Sequence, residues 1–242
     1  YYWDFGDGDT ALTANPEHLY AAFGAYNVTL AVTNSEGCTD TIVQSVTVNA
    51  EPTASFEADI VCLGNTTNFN NLSSIGSGNL NYNWNFGDGG SSTNPQPSYT
   101  YSSSDTFQVI LNVSSGAGCE DADTNSVIIY EQPEALFAVN NNCFDDTTFF
   151  VDQSTGINLE YDWDFGDGTI DSVANPFHIY DTSGTFTITL MVSNGNCSDM
   201  YQTNVTIYPR PVTSFISEDV CLDESVQFTN TSMLSSGTSN YQ

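Results

Sequence analysis

The chain has 242 residues and carries 30 acidic side chains against a single basic one, which gives a formal net charge of −29 at pH 7. This charge repels phosphate backbones and anionic lipids, so the composition argues against nucleic acid and membrane surfaces as partners. Hydrophobic residues make up 39% of the chain and aromatic residues 13%, which is enough apolar surface for packed cores. No stretch approaches the ~20 apolar residues of a membrane-spanning helix, so we expect no membrane insertion in this segment.

A six-residue motif that begins with tryptophan occurs three times. It reads Trp-Asp-Phe-Gly-Asp-Gly from Trp3 and from Trp163, and Trp-Asn-Phe-Gly-Asp-Gly from Trp84. An Asn-Pro pair and then a tyrosine follow each copy at a nearly constant distance. A period of about 80 residues predicts tandem copies of one small domain.

Apolar residues alternate with mostly polar ones downstream of each motif. The three alternating sets are Tyr26, Val28, Leu30 and Val32; Phe107, Val109, Leu111 and Val113; and Phe186, Ile188, Leu190 and Val192. Such alternation predicts a strand with one face in a core and the other face in water. We therefore expect the second set to be buried together with Trp84, Phe86 and Tyr101. Helical periodicity is nowhere sustained, and turn signals recur every 8–12 residues or so, which predicts an all-β chain of immunoglobulin-like sandwiches arranged end to end as a rod.

The Phe-Gly-Asp-Gly segments lie between two such strands. Gly and Asp tolerate positive φ, so each segment is predicted to form a tight hairpin turn. The alternation of Asp with Gly also suggests a Ca²⁺ loop, but the terminal Glu of a helix-loop-helix site is missing. His18 and His178 follow two of the turns and have no nucleophile paired with them, so we expect them to pack and hydrogen-bond. The sequence thus predicts no catalytic residue, no organic cofactor and no enzyme.

The complete pattern resembles a known family. Trp-Asp-Phe-Gly-Asp-Gly, then Asn-Pro-x-His-x-Tyr, then Gly-Thr-Phe-Thr-Ile-Thr-Leu-Met-Val is similar to the PKD (polycystic kidney disease) domain, in the cysteine-bearing variant found in surface proteins of gliding-type bacteria. The second copy departs from it, with Asn85 for the acidic residue and Tyr99 where the others have histidine. The resemblance implies small extracellular β-sandwiches, usually in tandem, in bacterial adhesion proteins or as accessory modules of secreted enzymes.

Prolines mark the expected joints between domains. Pro52, Pro133 and Pro211 each follow a long β-rich run. They divide the chain into residues 1–50, the C-terminal part of a domain; 51–131 and 132–209, two complete domains; and 210–242, the N-terminal part of a domain. The first and last pieces are complementary, so we expect this chain to be a window in a longer protein.

Six cysteines recur with the period of the repeat. The interval from Cys38 to Cys62 recurs between Cys119 and Cys143 and between Cys197 and Cys221. An even number of cysteines in an acidic chain of this type favours disulfides over a zinc site, which would need clustered Cys or His ligands.

The direction of the strands favours disulfides between domains. Cys62 is expected at the C-terminal pole of its sandwich and Cys119 at the N-terminal pole, roughly 25–35 Å apart. A disulfide needs Cα atoms within about 7 Å. We therefore predict a bond between Cys62 and Cys197 of the next domain, with Cys38, Cys119, Cys143 and Cys221 pairing to adjacent domains or copies.

The acidic surplus favours a divalent counter-ion. Carboxylates gather near the cysteine positions and the joints, and Ca²⁺ binds oxygen ligands of this kind. We predict Asp59, Glu131 and Asp199 as ligands of Ca²⁺ where domains meet. A merely soluble acidic surface is the alternative.

A stiff row of domains joined by very short linkers favours a structural function. We expect a structural or adhesive repeat region of a secreted bacterial surface protein, either a stalk or a subunit of an extracellular filament. The alternative is a set of accessory substrate-binding PKD modules in a large secreted hydrolase. The expected partners are copies of itself or adjacent repeats, together with extracellular glycans or other surfaces, and the expected location is extracellular.

Overall fold

The computed structural model describes residues 1–233, and the regular secondary structure in that range is β-strand throughout, as predicted. Residues 234–242, the end of the predicted fourth piece, lie outside the described residues. Within the described part, no helix has the length and apolar character needed to cross a bilayer. The chain divides into two compact units, one from Tyr1 to Ile129 and one from Tyr130 onward.

The first unit begins with a four-stranded antiparallel sheet. Its strands are β1 (Tyr2–Asp4), β2 (Thr10–Ala11), β3 (Gly24–Thr33) and β4 (Thr39–Val48). They are ordered β2-β1-β3-β4. The two long strands β3 and β4 carry the predicted alternating residues, and Tyr26 lies opposite Val46.

A complete sandwich follows in the same unit. Its strands are β5 (Pro52–Thr53), β6 (Phe56–Ala58), β7 (Val61–Cys62), β8 (Thr67–Asn71), β9 (Ser74–Ile75), β10 (Leu80–Asn85), β11 (Ser91–Ser92), β12 (Ser98–Tyr99), β13 (Asp105–Ser115) and β14 (Glu120–Tyr130). One sheet has the order β11-β10-β13-β14-β7 and the other the order β12-β8-β6, with β5 and β9 as a short separate ribbon.

The second unit contains another complete sandwich and then a hairpin. The sandwich strands are β15 (Phe137–Val139), β16 (Asn142–Cys143), β17 (Thr148–Asp152), β18 (Glu160–Asp164), β19 (Ile170–Asp171), β20 (Phe177–His178), β21 (Gly184–Ser193) and β22 (Ser198–Tyr208). They form sheets of order β16-β22-β21-β18-β19 and β15-β17-β20. The hairpin consists of β23 (Phe215–Ser217) and β24 (Phe228–Asn230).

The first strand of this second sandwich is divided between the two sheets. β15 pairs antiparallel with β17, whereas β16 pairs parallel with β22 and places Cys143 opposite Tyr208. Parallel pairing with the last strand puts Cys143 at the end of the domain where β22 finishes. This is the pole that the sequence predicted for Cys62, the equivalent cysteine of the first sandwich.

Each complete sandwich has a core built around a fully buried tryptophan. The core of the first unit contains, among others, Trp84, Phe86, Tyr101, Phe107, Val109, Leu111 and Val113, all at most 9% exposed. The predicted register is therefore confirmed, because a shift by one residue would have turned the same set toward water. The core of the second unit repeats it with Trp163, Phe165, Tyr180, Ile188, Leu190 and Val192.

Candidate functional site

The turn after each tryptophan strand has the same conformation in all three copies. Gly6, Gly87 and Gly166 have φ of 79°, 87° and 78°, in the left-handed region that favours glycine. The residue two positions earlier, Asp or Asn, accepts the N–H of that glycine at 2.8–3.0 Å. The predicted hairpin turn is confirmed.

An aromatic stack lies against each turn. In the third copy the ring of His178 stacks on Phe165 with centroids 4.5 Å apart, and Tyr180 meets the edge of His178. The hydroxyl of Tyr180 donates to the carbonyl oxygen of Phe165 at 3.1 Å. The corresponding stacks contain Phe5, His18 and Tyr20 in the first copy and Phe86, Tyr99 and Tyr101 in the second. The predicted packing role of the two histidines is confirmed.

Each histidine also contacts the aspartate of its turn. His178 Nε2 lies 2.6 Å from Asp167 Oδ2, and His18 Nε2 lies 2.7 Å from Asp7 Oδ2. The hydrogen bond from His18 holds the pKa of Asp7 below its ordinary value. Burial acts to raise the pKa of Asp167, but hydrogen bonds from Thr169 and His178 outweigh it, and the pKa of Asp167 is lowered as well.

The geometry of the third copy does not suit acid–base catalysis. Asp167 and Thr169 both approach the same ring nitrogen of His178, at 2.6 Å and 3.4 Å. A catalytic triad needs the carboxylate and the hydroxyl on different ring nitrogens, so that the imidazole can take a proton from the nucleophile. The group therefore fixes the turn and does not activate Thr169.

The first copy brings together a group of three possible metal ligands that the sequence reasoning did not identify. One ligand atom each from Asp7, Asp9 and His18 lies within 4.8 Å of the other two. Asp7 and His18 are already hydrogen-bonded to each other, and the turn geometry accounts for the position of both aspartates. The recurrence of a histidine 11 residues after the turn aspartate was the signal available in the sequence.

Asp167→Asn is expected to destabilise the second sandwich at neutral pH but not in strong acid. Because the folded pKa of Asp167 lies below its ordinary value of 3.8, the carboxylate stabilises the fold above about pH 4 and loses this effect as the pH falls through the folded pKa. We expect a loss of about 1–2 kcal/mol at pH 7, which disappears as the pH falls below the folded pKa. This loss can be measured by urea unfolding, with the NMR signal of the Trp163 indole N–H as the probe. The signal is specific for this sandwich because each of the three motif copies has one tryptophan.

The second copy provides the matched comparison, because Tyr99 replaces the histidine there. Its hydroxyl donates to Asp88 at 2.9 Å, and this bond, with burial and the charge of Asp88, raises the pKa of Tyr99 above 10.0. A raised pKa stabilises the fold below about pH 10 and is lost as the pH rises through the folded pKa. The destabilisation caused by Tyr99→Phe should therefore disappear at high pH. If Asp167→Asn and Tyr99→Phe each lower the free energy of unfolding by an amount that does not change with pH, the electrostatic explanation is wrong.

The whole pattern of strands, turns and stacks matches one family. The family model for the PKD domain matches residues 1–48, 49–129 and 131–207. The chain belongs to the PKD domain family. A PKD domain is a non-catalytic module, in agreement with the geometry at Thr169.

Curated relatives match this chain over short segments. A microbial collagenase of Vibrio alginolyticus is 48% identical over 48 residues, which is 20% of this chain and 6% of that protein. The pre-pro-metalloprotease PrtV of Vibrio cholerae is 45% identical over 67 residues, 26% of this chain and 7% of that protein. The PKD chain thus spans less than a tenth of the length of these relatives.

Solved PKD domains are also similar to this chain. The PKD1 domain of Vibrio anguillarum Epp is 28% identical, with a TM-score of 0.33, and the match covers 35% of this chain and 99% of that domain. The PKD1 domain of Vibrio cholerae PrtV is 30% identical, with a TM-score of 0.31, covering 33% and 98%.

The predicted calcium ligands of this PKD chain lie in different units. Asp59, in the first unit, is exposed and accepts the side-chain amide of Asn68 at 2.9 Å. In the second unit, Asp199 Oδ2 accepts the backbone N–H of Ala135 at 2.8 Å, and the backbone oxygen of Glu131 accepts from Asn194 at 2.9 Å. Asp199 therefore has a structural role that the sequence did not reveal, because its carboxylate holds the backbone at Ala135, near the start of its domain. The Ca²⁺ site itself stays a prediction.

The cysteines occupy two kinds of turn. Cys119 and Cys197 follow the long strands β13 and β21, and the backbone N–H of each is held by a side-chain oxygen of the same turn. Cys62 and Cys143 each begin a tight turn closed by a hydrogen bond from the residue three positions later. Cys62 and Cys197 are each in a disulfide-bonded state. Within the described residues the other four thiols are free: Cys38, Cys119, Cys143 and Cys221.

An apolar outer surface distinguishes the second sandwich from the first. Phe149 and Phe177 lie directly opposite each other on β17 and β20, and they are 65% and 66% exposed. The equivalent pair in the first sandwich is Asn68 and Ser98, which are hydrogen-bonded to each other at 3.0 Å. The two domains have equivalent cores, but the exposed side chains on this sheet differ between them.

Proposed function

We propose that this PKD chain is a structural or adhesive repeat region of a secreted bacterial surface protein, as a stalk or as a subunit of an extracellular filament. Its partners are then adjacent repeats or further copies of itself, with extracellular glycans as a second class. A bond between Cys62 and Cys197 is part of the proposal, and so is Ca²⁺ bound through Asp59, Glu131 and Asp199.

The position of the cysteines supports this proposal most directly. In the second unit Cys143 lies beside Tyr208, at one end of β22, and Cys197 precedes Ser198 at the other end. Ten residue steps along this strand span roughly 33 Å, whereas a disulfide needs Cα atoms within about 7 Å. A domain of this kind does not bond its own two cysteines, so its disulfides are suited to joining different domains. Such bonds would resist bending and pulling, which suits a load-bearing function.

Single-molecule stretching of the chain tests this function. With Cys62 bonded to Cys197, the residues between them are protected from extension, and complete unfolding should gain roughly 450 Å less contour length than in the reduced chain. Peptide mapping without reduction should recover the same cross-link. Cys62→Ser should behave like the reduced chain, and Cys143→Ser, which removes a free thiol, should match the unaltered protein. Equal extension before and after reduction would contradict the load-bearing function.

The second candidate function is an accessory substrate-binding module of a secreted hydrolase. The exposed pair Phe149 and Phe177 favours it, as do the relatives that are collagenases and metalloproteases. Binding of the chain to fibrillar collagen tests it, with Phe149→Asn and Phe177→Ser introducing the residues of the first sandwich. Loss of binding in this double variant would support the second function, and equal binding would exclude this surface.

A further inference from the structure

We propose that the outer face of the sheet β15-β17-β20 binds an amphipathic helix of a partner protein, with lysine or arginine at both ends of the helix's apolar stripe. The contact surface, here named the apolar strip, consists of six side chains: Leu136, Ala138, Phe149, Val151, Phe177 and Ile179. This inference goes beyond the proposed structural function, because a stalk or a filament subunit needs no such partner.

The strands that form the apolar strip are apolar on both faces. On β17 the side chain of Phe150 is buried in the core, whereas Phe149 and Val151 on either side of it are exposed. Successive side chains of a strand point to opposite faces of the sheet. The inner face already supplies the core of this sandwich, so core packing does not require the apolar strip.

The first sandwich shows that the fold forms without such a strip. Its outer face pairs Asn68 with Ser98 where the second sandwich pairs Phe149 with Phe177. The six equivalent residues of the first sandwich are all polar: Ser55, Glu57, Asn68, Asn70, Ser98 and Thr100. The apolar strip is therefore a particular property of the second sandwich.

The apolar strip is long and narrow. Its two central rows pair Ala138 with Val151 and Phe149 with Phe177, and one further row lies at each end. Rows two residues apart along a strand give a length of roughly 20 Å, and three neighbouring strands give a width of about 10 Å. An α-helix of about 13 residues has this length, and its diameter is about 10–12 Å. The strip therefore has the dimensions of one helix.

The open area of the apolar strip suits a single segment of a partner. Its five large side chains are 37–66% exposed, which leaves roughly 500 Å² of apolar surface if each has about 200 Å² in total. Patches of this size on a monomer are often functional. Covering both partners would bury about 1,000 Å², the lower limit for a specific interface. We therefore expect a short helix as the occupant and a reversible complex.

Carboxylates lie beyond both ends of the apolar strip. Glu134 comes two residues before the strip on the line of β15, and Asp181 comes two residues after it on the line of β20. Both side chains are exposed, and neither forms an ion pair within residues 1–233. The equivalent residues of the first sandwich are the uncharged Thr53 and Ser102. The two acidic ends thus accompany the apolar strip.

These charges identify the kind of partner. Lysine or arginine at the ends of a helical stripe would complement Glu134 and Asp181. A second copy of this chain does not fit, because its regular structure in the described range is β-strand and its single basic residue, Arg210, is paired with Asp146. Another acidic chain would also bring like charges together. The occupant is therefore a helix from a different, basic protein.

A synthetic helical peptide serves as the probe for the full 242-residue chain. It has about 18 residues, with leucine at every third or fourth position and two lysines at each end. Calorimetry should show binding at about 0.5 M salt, where attraction between distant exposed charges is screened. The triple variant Phe149→Asn, Val151→Asn and Phe177→Ser should bind at least about tenfold more weakly, because it loses the aromatic centre of the contact.

A second variant controls for a general loss of exposed apolar side chains. Met191 and Met200 are exposed and lie opposite each other on the other sheet of this sandwich. Met191→Asn with Met200→Ala introduces the residues of the first sandwich, as the triple variant does, and should bind the peptide like the unaltered chain. The NMR signal of the Trp163 indole N–H should keep its folded position in both variants.

A third variant tests the acidic ends. Glu134→Gln with Asp181→Asn should weaken binding about three- to tenfold at about 0.1 M salt and much less at about 0.5 M, because salt screens exposed charges. Equal weakening at both salt concentrations would mean that the two carboxylates do not act through their charge, and the basic ends of the proposed partner would be wrong.

Three further results would overturn the proposal. They are equal binding by the triple variant, equal binding of a peptide with the same composition in scrambled order, and no binding of the helical peptide. Binding of fibrillar collagen that the triple variant loses, without binding of the helical peptide, would also overturn it and would favour the second candidate function. The stretching experiment does not depend on the apolar strip, so the structural function is tested separately.

Discussion

Trp163→Ala is expected to unfold the second sandwich while the first remains folded. The Trp163 side chain is fully buried at the centre of its core, and its indole N–H is satisfied by Val173. Replacing a buried tryptophan by alanine costs about 3–5 kcal/mol, which is a large part of the roughly 5–15 kcal/mol that stabilises a domain. Amide exchange in β21 and β22, measured by mass spectrometry, should become fast.

The three tryptophans provide internal controls for this experiment. The indole signal of Trp84 should keep its folded position in the NMR spectrum of Trp163→Ala, because Trp84 belongs to the other unit. Trp3→Ala should have a smaller effect, since Trp3 is only half-buried. If protection in β21 survives the Trp163 substitution, the core of the second unit is not organised around this residue.

Gly166→Ala is expected to be the most disruptive single-methyl change in the tryptophan turns. Gly166 has φ of +78°, and a Cβ added there would lie 2.5 Å from the carbonyl oxygen of Thr187 on β21. The left-handed conformation alone costs an alanine about 1–2 kcal/mol, and the clash with backbone would force β21 away from the turn. We expect a loss of more than about 3 kcal/mol, read from urea unfolding through the Trp163 indole signal.

Gly168 in the same turn separates the two effects. It has φ of +94°, but a Cβ added there would meet no atom within 4 Å. Gly168→Ala should therefore show the conformational cost only, of about 1–2 kcal/mol. Gly87 and Gly89 offer the same pair in the first sandwich. Equal losses at Gly166 and Gly168 would mean that close approach of the strand does not matter.

The sequence by itself determined the fold class, the register of the long strands and the role of the turns. Only one register of the strand buries Val109, Leu111 and Val113 together, because a shift by one residue exchanges the faces of a strand. The positive φ of Gly6, Gly87 and Gly166 followed from the Gly-Asp-Gly pattern for a similar reason, since few other residues adopt that conformation. These features depend on residues that are close together in the chain, so a short stretch of sequence is enough to predict them.

Only the tertiary structure decided which side chains meet across the sandwich. The sequence predicted Asp199 as a Ca²⁺ ligand but did not reveal that its carboxylate accepts the N–H of Ala135, 64 residues away. The Asp7, Asp9 and His18 group and the apolar pair of Phe149 with Phe177 likewise depend on contacts between separate segments. A carboxylate or a phenylalanine has the same local pattern whether it faces water, a backbone amide or another strand. The packing of distant strands decides between these environments, so the sequence predicted the scaffold more completely than the surface it presents.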